Sequence, residues 1–94
     1  MYKWRVSIRH LMTSGSGLME TTYVTVPSLE GAKVVYQTYL KRARRAAKKL
    51  TSGRYNRKQQ ERSYGSLDTD EEIDTIIYTD SGDKAYHVYV TKMD

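Results

Sequence analysis

Ten of the 22 residues from Lys41 to Arg62 are lysine or arginine, and Glu61 alone opposes them. Cations at this density repel one another. The chemistry they share is attraction to a polyanion, with a nucleic-acid backbone ahead of an acidic protein and of anionic lipid. A single cation near a helix end needs no partner, because Lys48 or Lys49 there would simply offset the negative end of the helix dipole. That account does not extend to Arg54, Arg57, Lys58 and Arg62, which follow the last helical residues. The expected phosphate contacts are therefore Lys41, Arg42, Arg44, Arg45, Lys48, Lys49, Arg54, Arg57, Lys58 and Arg62. Tyr55 and Tyr64, interleaved with them, are candidate stacking residues.

Tyrosine supplies nine of the ten aromatic residues and phenylalanine none, which suits surfaces that are at once apolar and wet. Strand alternation that buries Trp4, Val24, Val26, Tyr86, Val88 and Val90 sends Arg5, Arg9, Tyr23, His87 and Tyr89 to the opposite sheet face. This mixture of rings and cations forms a second candidate surface for single strands, although tyrosine is also a good strand former in its own right. Catalytic chemistry finds no footing: His10 and His87 stand apart from any nucleophile pattern, and GxSxG, HExxH and P-loop motifs are absent. The chain is read as a non-enzyme without cofactors. With no cysteine there is neither disulfide nor thiolate zinc, and the acidic run Asp68–Asp74 lacks the glycine and terminal glutamate of a calcium loop, so no metal is expected.

These side chains need a scaffold. Alternation from Tyr2 to Met12 predicts a strand, and Thr21–Val26, rich in β-branched residues, predicts a second strand ended by Pro27. Ser28 is placed to cap a helix over 29–51, in which Ala32, Val35, Tyr36, Tyr39, Leu40, Ala43, Ala46, Ala47 and Leu50 recur at steps of three and four. That helix should outrun the strands and project its basic end. Residues 52–66 are expected to form a mobile basic loop, since the stretch up to Glu72 carries few apolar residues. Ile73–Thr79 and Ala85–Thr91 predict a closing hairpin around a turn at Asp80–Asp83. The expected fold class is α+β: a ββ-α-ββ order, a four-stranded and mainly antiparallel sheet, one long amphipathic helix on one face, and a flexible basic arm after it.

The chain of 94 residues, 38% apolar and with net charge +5, has room for one small domain spanning 1–94. No apolar run approaches a membrane span and the start does not read as a signal peptide, so a cytoplasmic protein without membrane attachment is expected. The expected function is non-enzymatic nucleic-acid binding, to DNA or RNA, with the helix end and arm as a phosphate clamp. The alternative is a protein-interaction module: an inhibitor or accessory subunit, of the kind phages and mobile elements encode, that binds a larger nucleic-acid-processing enzyme. A homodimer through an exposed sheet edge is compatible with either.

Overall fold

The computed structural model describes residues 3–11, 21–50, 55–66 and 72–93. Strands β1 (Lys3–His10) and β2 (Thr21–Val26) are followed by helix α1 (Leu29–Leu50), the short helix α2 (Arg57–Gln60), and strands β3 (Glu61–Ser66), β4 (Glu72–Tyr78) and β5 (Lys84–Met93). All five strands lie in one sheet in the order β2-β1-β5-β4-β3, and every adjacent pair is antiparallel. Strands β1 and β5 take the middle, where Val6, Val88 and Val90 are fully buried beneath α1.

Helix α1 begins where Ser28 accepts a hydrogen bond from the Gly31 amide at 3.0 Å, satisfying one of the donors that a helix start leaves open. Ala32, Tyr36, Leu40, Ala43 and Ala47 then form its buried stripe. Small residues in its second half allow close approach to the sheet, and α1 remains in the core through Ala47 instead of projecting beyond it. The Tyr36 hydroxyl bonds to that of Thr75 on β4, which in turn bonds to Ser63 on β3 at 2.8 Å. This hydroxyl chain links helix and sheet at a point where apolar contact gives way to polar residues.

The four-stranded expectation requires correction. The fifth strand is β3, within the segment 52–66 that reads as a loop, and the order of elements is ββ-α-α-βββ. Its sequence, Glu-Arg-Ser-Tyr-Gly-Ser, has no apolar alternation because it is an edge strand whose pairing rests on backbone bonds to β4. Residues 52–54 lie outside the described residues. At Gly65 the backbone has φ +82°, and a Cβ there would sit 2.7 Å from the Glu72 carbonyl oxygen, so glycine is required where β3 closes on β4. The β4–β5 turn falls where expected, with Gly82 at φ +92° and the Thr79 amide donating to the Asp83 carbonyl at 2.8 Å. Among the described residues, no helix is long and apolar enough to cross a membrane.

Candidate nucleic-acid interface

Beyond Glu30, α1 carries no acidic residue. Lys41, Arg42, Arg45, Lys48 and Lys49 are all exposed, with Arg42 on the flank of α1 that borders Ile8, His10 and Thr22. Lys41, Arg42 and Arg45 line a shallow groove with Thr38. Lys48 and Lys49 also occupy the last turn, where positive charge is favoured by the helix dipole.

Arg44 behaves differently. Its Nε donates to Glu61 Oε1 at 2.5 Å and its Nη2 to Oε2 at 3.1 Å, while the Tyr55 hydroxyl donates to Oε1 at 2.7 Å. Both charged side chains are largely covered, 20% exposed for Arg44 and 10% for Glu61. Burial opposes the ionisation of Glu61, but the hydrogen bonds from Arg44 and Tyr55 and the charges of Arg44 and Arg57 outweigh it and lower the carboxyl pKa. The bond to Glu61 raises the Arg44 pKa against the opposing effect of burial. Burial, then the bond to Glu61 and its charge, push the Tyr55 phenol well up. Two residues expected to touch a ligand thus serve as a strut between α1 and β3.

The strut sets the place of α2. Arg57 approaches Glu61 Oε1 at 3.8 Å, and Arg57 and Lys58 are exposed. Lys41 and Lys48, three residues before and four after Arg44, share its flank of the helix. Lys41 and Lys48 therefore lie on the side of α1 that Arg57 and Lys58 adjoin, while Arg42 lies on the side of β1 and β2. Arg62 is held by the backbone: its Nη1 donates to the carbonyls of Lys58 at 3.1 Å and Glu61 at 2.8 Å. Arg54 lies outside the described residues.

The uncovered face of the sheet collects Arg5, Arg9, Tyr23, His87 and Tyr89, as strand alternation requires. One row crosses all five strands through Tyr23, Ser7, Tyr89, Asp74 and Tyr64. Ser7 is buried between its tyrosine neighbours, and Arg5 lies over the Tyr23 ring at 4.7 Å with its Nε buried and unbonded. His87 stacks on Tyr89 at 4.5 Å and bonds Asp74 through Nε2 at 2.9 Å. Tyr64 thus belongs to the sheet face and not to a loop. His10, on the helix side, stacks on Tyr86 at 4.8 Å.

One concavity was not foreseen. Gln59, Arg62, Tyr64, Tyr78 and Asp80 surround a cleft of about 440 Å³ between α2 and the β3–β4 end of the sheet. Its lining runs over 24 residues, from Gln59 to Gly82, and is brought together by strand pairing and by Gln60, so spacing carried no signal of it. Comparison with protein families, with curated proteins and with solved structures finds no match.

Proposed function

We propose that this chain is a non-enzymatic nucleic-acid-binding protein that grips the sugar-phosphate backbone with the exposed cations of α1 and α2. Lys41, Arg42, Arg45, Lys48, Lys49, Arg57 and Lys58 make the contacts. Arg44 and Tyr55 act indirectly, through Glu61, by holding α2 beside α1. The observation that carries this reading is that Arg44 is held by a carboxylate while Lys41, Arg42 and Arg45 stand exposed on a helix that carries no acid beyond Glu30. A surface of this kind recognises charge and carries little base specificity.

Fluorescence anisotropy with short labelled DNA and RNA tests it. With six or seven phosphates engaged, affinity falls by about 10³-fold between about 50 and 200 mM salt. A flat salt dependence refutes the clamp.

A second reading draws on the uncovered sheet face, where Tyr23 and Tyr64 remain 59% and 56% exposed. Exposed tyrosines are favoured anchors at protein interfaces. On this reading the chain is an accessory or inhibitory subunit of a nucleic-acid-processing protein. A protein partner retained from lysate after nuclease treatment supports it, and nuclease-sensitive recovery supports direct binding.

A further inference from the structure

We propose that the cleft between α2 and the β3–β4 end of the sheet seats an unpaired nucleobase, so that the protein selects single strands over duplexes. The proposal rests on the backbone-clamp reading and adds the class of nucleic acid. At about 440 Å³ the cleft is within the range of small-ligand sites. Its lining supplies both kinds of contact that an extruded base requires. Tyr64 and Tyr78 offer ring faces, while the Gln59 amide offers a donor and an acceptor for a base edge. Tyr64 opposes Asp74, four residues before Tyr78, which sets the Cα atoms of the two tyrosines about 13 Å apart along the strands, on either side of Arg62. That separation suits one base stacked on Tyr64 with its sugar beside Arg62.

Hydrogen bonds anchor the α2 side of the cleft. Gln60 is buried; its Oε1 accepts from the Asn56 amide at 2.8 Å and its Nε2 donates to the Tyr78 carbonyl at 3.1 Å, locking α2 onto β4. Arg62 is held at the rim by the Lys58 and Glu61 carbonyls. These two bonds use two of the five N–H donors of the guanidinium. Continuity with the clamp comes from α2, where Arg57 and Lys58 directly precede Gln59 in one short helix. A phosphate held by Lys58 delivers the adjoining nucleotide to the cleft. In a duplex that base is stacked and paired, and extruding it costs free energy.

The test compares a short labelled oligouridylate and oligothymidylate with a duplex of the same length, at matched salt, by fluorescence anisotropy. The wild-type protein binds the single strands at least about fivefold more tightly than the duplex, and Tyr64→Leu lowers single-strand affinity by about tenfold while leaving duplex affinity unchanged. Tyr64→Phe, which keeps the ring, restores the wild-type value. Tyr64 is an exposed edge-strand residue, so circular dichroism should show the fold intact in both variants. Equal wild-type affinities for single strand and duplex, or a Tyr64→Leu effect that is absent or the same on both, overturn the cleft and leave the clamp standing. Absence of binding to every probe overturns the clamp, and the cleft with it.

Discussion

Arg44 on α1 and Glu61 at the start of β3 form a two-pronged ion pair, with contacts of 2.5 and 3.1 Å across a separation of 17 residues in the chain. It joins the helix to the edge of the sheet where apolar contact is sparse. Glu61→Gln keeps the shape but leaves the largely covered guanidinium without its counter-charge, and should lower stability by about 2 kcal/mol in urea unfolding. A double-mutant cycle with Arg44→Met should recover part of that loss, because no uncompensated charge then remains.

The same cluster dictates how stability responds to acid. Glu61 titrates below its ordinary value in the folded chain, so the unfolded chain binds the proton first as pH falls. Its contribution is complete above the ordinary carboxylate range, about pH 4 to 5, and is lost as pH drops through the lowered value. Unfolding midpoints measured from pH 7 to pH 3 should fall below pH 5, and Glu61→Gln should flatten part of that slope.

At the alkaline end the sign reverses. Burial raises the pKa of Tyr36, and burial together with Glu61 raises that of Tyr55, so the unfolded chain loses these protons first. Their contribution is complete below the ordinary tyrosine value of 10.0 and declines as pH rises through it. Tyr55→Phe should reduce the loss of stability above pH 10, as followed by thermal unfolding.

Gly65 offers a test of the fifth strand. Gly65→Ala forces a Cβ against the Glu72 carbonyl and places alanine at a left-handed φ, at a cost of about 1 to 3 kcal/mol. Hydrogen exchange should show the loss concentrated in β3 and its pairing with β4. Equal protection of these amides in wild type and variant would argue against the observed register.

Replacing Lys41, Arg42 and Arg45 together by alanine separates binding from folding. All three are exposed, so thermal unfolding should change little while the salt slope of nucleic-acid binding decreases by about 3. An unchanged slope would place the contacts elsewhere.

Helix α1, the first hairpin and the central strands are legible from the order of residues, because each buries an apolar set at its own period: steps of three and four from Ala32 to Ala47, steps of two from Trp4 to Ile8. Period two likewise assigns Arg5, Arg9, Tyr23, His87 and Tyr89 to the face away from the helix. Local order also concentrates the cations between Lys41 and Arg62. It does not reveal which of them are occupied, since the carboxylate that claims Arg44 comes 17 residues later and reaches it only after β3 has docked. Strand β3 has no apolar period because it is held by backbone bonds to β4 and by the polar side chains of Glu61 and Ser63, whose partners Arg44 and Thr75 lie elsewhere in the chain. The cleft has the same origin: Gln59, Arg62, Tyr64, Tyr78 and Asp80 meet because antiparallel pairing folds one segment back on another, and that contact exists only in three dimensions.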